Sequence, residues 1–430
     1  MVATMRGFIA MTALTSIATA TASLSRMTPK PINRIDLGPR PGFLVDDMDD
    51  SPLKTHLSEC LDNGDPIRPS TLSIAHRGGA TLTMPEHTLE NTMAGARMGA
   101  GILECDVAFT SDLELVCRHS QCDLHYTTDI LQRPELAAKC TTPFMPADVE
   151  GGAPAEAKCC TSDITLKEFS SLCGIMESRM NDDAASVEEF LSVVGWRTEL
   201  YATCGTVMSL QEHIDVTTSL GLLHTPELKT PEVAMPFRGS GDACYTQEDY
   251  AQQLVDEYRD AGVPFEDIYP QSFLYDDILY WLDQEPEFAS HAMFLDSYGE
   301  TAETLPDAVA NLTTYARDGL KYLAPPIPYL VTADEDGKMA PSEYADRAKE
   351  LGFKIVPWTL ERSGPLADVR ENGDYYYMYF ADAVNNDGDV YDLVDLLVGD
   401  IGIVGLFSDW VATVTFYANC MGIGLNGERP

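Results

Sequence analysis

The stretch IAHRGGATLTMPEHTLENT, Ile74 to Thr92, begins as an apolar strand, breaks at His76-Arg77-Gly78-Gly79 and continues into a helix-like segment. A second strand-like run, GILECDVAF, follows at residues 101–109. Strand, loop, helix and strand in so short a span make the opening unit of a parallel α/β fold. Outward from this unit the same pattern recurs. TLSIAH and GILECDVAF are followed by LLHTPEL, FEDIYPQSF, HAMFLDSY, LKYLAPP, FKIVPWTL and IVGLFSDW. Segments of helical period lie between most of them, such as YTQEDYAQQLVDEYRDAG and SEYADRAKELG, each ending at Gly as helix C-termini tend to. Eight strands alternating with helices predict an α/β fold, a (β/α)8 TIM-type barrel.

Three regions flank or interrupt that pattern. Residues 121–204 are too long for a loop and carry six cysteines, at 122, 140, 159, 160, 173 and 204. They read as an insertion after the second strand, pinned partly by disulfides. Residues 23–69, rich in Pro, Asp and Ser, read as an N-terminal extension of a barrel domain spanning 70–430. Residues 1–22 combine Arg6, an uncharged apolar stretch and small residues at Ala18, Ala20 and Ala22, the pattern of a cleavable secretory leader. The expected location is therefore outside the cytoplasm, secreted or periplasmic. Eleven cysteines agree with export, and none forms a C-x-x-C pair that would suggest a zinc ribbon. The odd count leaves at least one thiol. Cys105, on a uniformly apolar strand face with Leu103, Val107 and Phe109, is the expected free and buried one. Asn311-Leu312-Thr313 is the N-glycosylation sequon.

The chain holds 68 Asp+Glu against 28 Lys+Arg, a net charge of -40. Such a surface argues against a nucleic-acid partner, whose phosphates need basic patches, and reads as solubility. An anionic substrate would need a local positive feature. The apolar run near the C-terminus is cut by Asp400 and Asp409, so no stable membrane insertion is expected.

In a barrel of this kind chemistry sits at the C-terminal ends of the strands. Side chains alternate along a strand, so Ile102, Glu104, Asp106 and Ala108 share one face of GILECDVAF. Two adjacent carboxylates repel unless protonated or bridged by a cation, and Mg2+ or Ca2+ suits oxygen ligands. In LLHTPELKT the same alternation places Glu227 with Lys229: a third carboxylate and a cation for an anion, or a plain strand-end ion pair. His76 shares the inner face of its strand with Leu72 and Ile74. Arg77 beside it offers a fork for two phosphate oxygens, and Gly78-Gly79 would let the backbone approach a ligand. LELVCRHS supplies His119 in a hairpin directly after the second strand. Two histidines, a metal site and a cationic clamp suit acid-base cleavage of a phosphate ester. Two further acidic stretches, TADEDGKMAPSE and AVNNDGD, fail the ligand positions of a calcium loop.

The segment AHRGG…PEHTLENT…GAGILECDVAFTSDLELVCRH resembles the opening motif of the glycerophosphodiester phosphodiesterase family, and TPELK, PQSF, PWTLERSG and GLFSDW resemble its later motifs. The fit runs from about Leu72 to Cys420 and is closest to larger secreted members with a cysteine-bearing insertion. The resemblance implies His76 and His119 as the acid-base pair, with His76 the base. It implies Glu104, Asp106 and Glu227 as metal ligands for one divalent cation, Ca2+ or Mg2+. Arg77 and Lys229 would lie at the phosphate, and Gln271 and Trp358 in the substrate pocket. Two positions depart from the family pattern. His87 stands where PENT has Asn, and it reads as part of the lead-in to a helix capped by Thr88. Ser120 stands where Asp commonly follows the second histidine, so what orients His119 is open. The expected activity is hydrolysis of a small-molecule glycerophosphodiester to glycerol 3-phosphate and an alcohol. Its rivals are a lysophospholipase D-like activity and a catalytically inactive extracellular binding protein.

Overall fold

The structure, a computed structural model, describes residues 31–148, 150–201, 204–239 and 244–425. The expected leader at residues 1–22 lies outside the described residues. All eight anticipated runs contain strands: β1 (Ser70–Ala75), β2 (Ala100–Phe109), β3 (Leu223–Leu228), β4 (Gln271–Ser272), β5 (Met293–Leu295), β6 (Tyr322–Ala324), β7 (Lys354–Ile355) and β8 (Leu406–Ser408). Neighbours pair in parallel in the order β7-β6-β5-β4-β3-β2-β1-β8. The ring closes through hydrogen bonds between the chain after β7 and β8. Val404 N–H donates to Ile355 O, Phe407 N–H to Pro357 O and Leu360 N–H to Phe407 O, at 2.9, 3.1 and 2.9 Å. The barrel interior holds Ile74, Ile102, Met293, Leu295, Tyr322, Val356 and Phe407. The opposite strand faces bury Cys105, Val107, Phe109, Leu228 and Phe294 in the main core. Each large apolar side chain buried this way stabilises the fold by roughly 1.5–3 kcal/mol.

The helices that follow the strands include α1 (Leu89–Arg97), α2 (Leu210–Leu220), α3 (Gln247–Asp260), α4 (Tyr275–Gln284), α5 (Leu305–Asp318), α6 (Glu343–Glu350), α7 (Asp389–Asp395) and α8 (Val411–Met421). Their starts follow the capping rules. Thr88, Ser209, Thr246 and Ser342 each accept a first-turn N–H. The TADEDGK stretch is a hairpin turn. Val331–Ala333 pairs with Met339–Pro341, and Asp334 accepts the N–H of Asp336 and Lys338.

The glycines of the first loop do a different job from the one anticipated. Gly78 (φ 109°) and Gly79 (φ 81°) pack the loop rather than make room for a ligand. A Cβ at Gly78 would lie 2.6 Å from Asn91 Oδ1, and one at Gly79 would lie 2.7 Å from Val411 Cγ1. Asn91 of α1 holds the loop by accepting from Ala80 N–H and donating to Met84 and Pro85 carbonyls.

The thiol expectation is overturned. Cys105 is disulfide-bonded to Cys117, with Cα atoms 5.2 Å apart, and the free cysteine among the described residues is the exposed Cys244. The hairpin strand Leu115–Cys117 returns antiparallel along β2 and brings Cys117 beside Cys105. All six insertion cysteines are paired, 122–160, 140–159 and 173–204. The insertion has its own apolar cluster, including Leu124, Ile130, Phe169 and Phe190.

Before β1, helices Arg40–Asp47 and Pro52–Asn63 bury Leu44, Val45 and Leu57 in the main core. Cys60 is bonded to Cys420 of α8 across 360 residues of chain. A cross-link over so long a loop constrains the unfolded chain strongly. Cys60→Ser with Cys420→Ser is therefore expected to cost about 2–5 kcal/mol, read as a lower denaturation midpoint against unchanged turnover.

Candidate active site

β1 ends in a single 3-10 turn at His76–Gly78, and Arg77 takes a left-handed conformation (φ 51°). A non-glycine residue stays there only when its surroundings hold it. Arg77 N–H donates to Glu104 Oε2 at 2.6 Å, and its guanidinium donates to Glu86 Oε2 at 2.9 Å. The turn thereby presents His76 and Arg77 to one cavity of about 240 Å3. Its walls include His76, Arg77, Glu104, His119, Glu227, Gln271 and Trp358, with Phe273, Leu295, Tyr376 and Phe407. Seven of the nine residues expected from sequence thus meet in one space. Asp106 and Lys229 sit directly behind them, buried against Glu227 and His87.

The carboxylates come together through strand register. Parallel pairing sets Glu227 of β3 opposite Asp106 of β2 on one side and Gln271 of β4 on the other. Ligand atoms of Glu104, Asp106 and Glu227 lie within 4.8 Å of one another, all three residues being buried. Glu104 accepts from Gln271 Nε2 at 2.8 Å. Burial, then the charges of Asp106 and Glu227, push the Glu104 carboxyl well above the usual range. Burial pushes Glu227 up to about 8 despite its ion pair with Lys229 Nζ. Burial also opposes charge on Asp106, but His87, Lys229 and Arg77 overcome it and hold Asp106 ionised. Asp106 Oδ1 is buried without a hydrogen-bond partner. An all-oxygen set whose members cannot all ionise together, with one orphaned oxygen, fits a hard divalent cation.

His87 does more than lead into a helix. Its Nε2 lies 2.8 Å from Asp106 Oδ2 with both side chains buried, and it occupies a left-handed backbone position (φ 51°). It orients a candidate ligand from behind. Glu86, one residue earlier, pairs with Arg77 and so belongs to the site as well.

The histidines differ in their surroundings. His76 Nδ1 meets Asp409 Oδ1 at 2.5 Å. Burial opposes ionisation of Asp409, but Arg362, His76 and Arg197 hold it far below the carboxylate range. An ionised carboxylate only accepts, so the Nδ1 proton sits on His76 and Nε2 keeps its lone pair. Burial lowers the His76 imidazole to about 4 against the pull of Asp409. His119 follows the hairpin strand, on a turn fixed by the Ser120 N–H to Asp123 Oδ2 bond (3.0 Å) and the Arg118 N–H to Asp106 O bond (2.7 Å). Burial, then the cations Arg77, Lys229 and Arg362, push its pKa well down. Ser120 Oγ itself donates to Glu232.

Several of these residues escape a reading of the sequence. Asp409 stands at the end of β8, where the strand-end rule points, yet in sequence it reads as an interruption of an apolar run. Arg362 lies within PWTLERSG, in the connection after β7, with no local mark of its partners. Glu177 and Arg197 lie in the insertion and carry no periodic signal at all. Arg362 and Arg197 both donate to Asp409 Oδ2, at 3.0 and 3.1 Å.

The profile of the glycerophosphoryl diester phosphodiesterase family matches residues 76–396. An Arthroderma benhamiae protein named "Extracellular protein" is 45% identical over 245 residues, 56% of this chain and 98% of that one. A glycerophosphodiester phosphodiesterase of Arabidopsis thaliana is 23% identical over 374 residues, 80% of this chain and 85% of its own. A solved Silicibacter pomeroyi structure, assigned to the glycerophosphoryl diester phosphodiesterases, shares the fold. It has a TM-score of 0.50 at 18% identity, over 86% of this chain and 99% of that one.

Proposed function

This chain belongs to the glycerophosphoryl diester phosphodiesterase family, and we propose that it is an exported, metal-dependent member using His76 and His119 as its acid-base pair. The observation that carries this is the 2.5 Å contact of His76 Nδ1 with Asp409 Oδ1: with Asp409 ionised the Nδ1–H is the donor, so the lone pair of Nε2 is the one left to take a proton. In this reading His76 takes the proton of the attacking hydroxyl, either water or the glycerol 2-hydroxyl. His119 protonates the leaving alkoxide. Burial and then the cations Arg77, Lys229 and Arg362 depress His119; an anionic phosphate among those cations opposes their effect and favours the protonated imidazole that must give its proton. Arg77 faces the phosphate, with Lys229 behind Glu227. Gln271 and Trp358 line the pocket, and Gln271 also braces Glu104.

Glu104, Asp106 and Glu227 would hold one divalent cation, Ca2+ or Mg2+, with His87 and Lys229 bracing two of them. Such an ion, when bound, neutralises phosphate charge and so answers the problem of an anionic substrate on a protein of charge -40. Export is supported by the leader-like residues 1–22, by five disulfides among the described residues and by the name of the Arthroderma relative. No helix among the described residues is long and apolar enough to cross a membrane. In this reading residues 23–69 are an extension of the barrel domain at 70–430, into which 121–204 is inserted.

One observation favours a second substrate class. A largely apolar cavity of about 320 Å3 is lined in part by Leu305 and Val309 from the start of α5, Pro328 and Val331 after β6, Tyr344 from the start of α6 and Tyr379 after β7. It would suit the chain of a lysophospholipid. The test is a panel of glycerophosphocholine, glycerophosphoethanolamine and lysophosphatidylcholine, with glycerol 3-phosphate and free choline as readouts. Glycerol 3-phosphate from the water-soluble diesters is expected. Turnover of lysophosphatidylcholine alone would favour the second reading, and no turnover of any would refute both.

A further inference from the structure

The cysteine-bearing insertion reaches the charge network behind His76. Arg362, from the connection after β7, donates to Asp409 Oδ2 at 3.0 Å and to both Glu177 oxygens at 2.9 Å. Arg197 of the insertion donates to the same Asp409 oxygen at 3.1 Å and to Glu177 Oε2. Two guanidinium groups thus bridge the same two carboxylates in a closed ring. Glu177 Oε1 also lies 3.7 Å from Arg77 Nη1. The Arg197 side chain is 4% exposed and that of Asp409 is 0% exposed.

The ring has a direction. Both arginines occupy Asp409 Oδ2, which leaves Oδ1 for His76. It fixes the rotation of the carboxylate and keeps it ionised, the two conditions under which His76 must carry its proton on Nδ1. Buried ion pairs are poor stabilisers, since desolvation cancels most of their attraction. Stability alone is therefore a weak reason for the ring, whereas orientation of a proton acceptor needs it. Glu177 and Arg197 both lie inside the segment that Cys173–Cys204 closes.

We infer that Glu177 and Arg197 are positioning residues for the phosphodiesterase reaction, and that the insertion is a working part of the active site. The inference rests on His76 as the proton acceptor of that reaction. Arg197→Ala is expected to lower kcat for the panel's best diester roughly 10- to 100-fold, the usual cost of losing a partner that orients a working side chain. KM should stay nearly constant, and Arg197→Lys should restore part of kcat. Glu177→Gln, nearly isosteric, serves as a second variant should Arg197→Ala fold poorly, and its kcat should fall likewise. Cys173→Ser with Cys204→Ser should lose kcat in parallel while the circular dichroism of the barrel is retained. Wild-type kcat in the folded Arg197→Ala or Glu177→Gln enzyme would overturn the inference, as would a loss confined to KM. An inactive wild type would instead remove the function on which the inference rests.

Discussion

His76→Ala is expected to lower kcat on a glycerophosphodiester by about 10²–10⁴-fold, the usual contribution of one positioned acid-base group. The ring nitrogen that faces the cavity is the one left unprotonated by Asp409, and alanine removes it without touching the three carboxylates. Asp409→Asn should approach the same loss by another route. An amide can donate to Nδ1, which favours the opposite tautomer and places the proton on Nε2, where a base must not have it. Both variants should still bind Ca2+ by calorimetric titration, which separates lost chemistry from lost structure. Wild-type kcat in a folded His76→Ala protein would sink the assignment of the base.

Chelation is expected to abolish turnover, and added Ca2+ or Mg2+ to restore it and raise the melting temperature. At an ion concentration about 100 times Kd, linkage alone stabilises the fold by about 2.7 kcal/mol, a rise on the order of 5 °C for a domain of this class. Glu104→Gln should abolish that rise while leaving the metal-free melting temperature unchanged or higher, because the wild-type site buries a carboxyl that resists ionisation. A pH series sharpens the test. Glu227 has a folded-state pKa of about 8 against an ordinary 4.5. A carboxyl raised in this way stabilises the fold below 4.5 and loses that contribution as pH climbs to 8. Metal-free protein should therefore soften across that window, and the softening should shrink when Ca2+ or Mg2+ is bound. Full activity in excess chelator, or an identical pH dependence with and without metal, would remove the metal from the proposal.

Much of the barrel is legible in the sequence because each strand announces itself as an apolar run between helices of clear period. Alternation alone puts Glu104 and Asp106 on the inward face of β2. The meeting of Asp106 with Glu227 is another matter. It depends on parallel register, which is set by how α2 packs between β2 and β3 and leaves no local mark. His87 shows the limit of reading by position. It precedes a helix, yet a left-handed turn swings its ring back to Asp106. Cys105 shows the limit of reading by face, since an apolar strand face holds a half-cystine as readily as a thiol once a hairpin lays Cys117 alongside. Asp409, Glu177, Arg197 and Arg362 are separated by long stretches of chain and meet through the closure of the barrel and the docking of the insertion. Their partnership is a property of the tertiary fold.

The bond between Cys60 and Cys420 has a consequence for life among proteases. It makes the intervening chain, barrel and insertion together, one covalent ring. A peptidase that cuts an exposed loop opens the ring without releasing a fragment, and the ends stay near each other inside a packed barrel. A singly nicked molecule should therefore migrate whole under non-reducing electrophoresis, split under reducing conditions, and keep working between those two measurements. Wherever proteases cut accessible chain, the durability of the fold would then be set by the second cut.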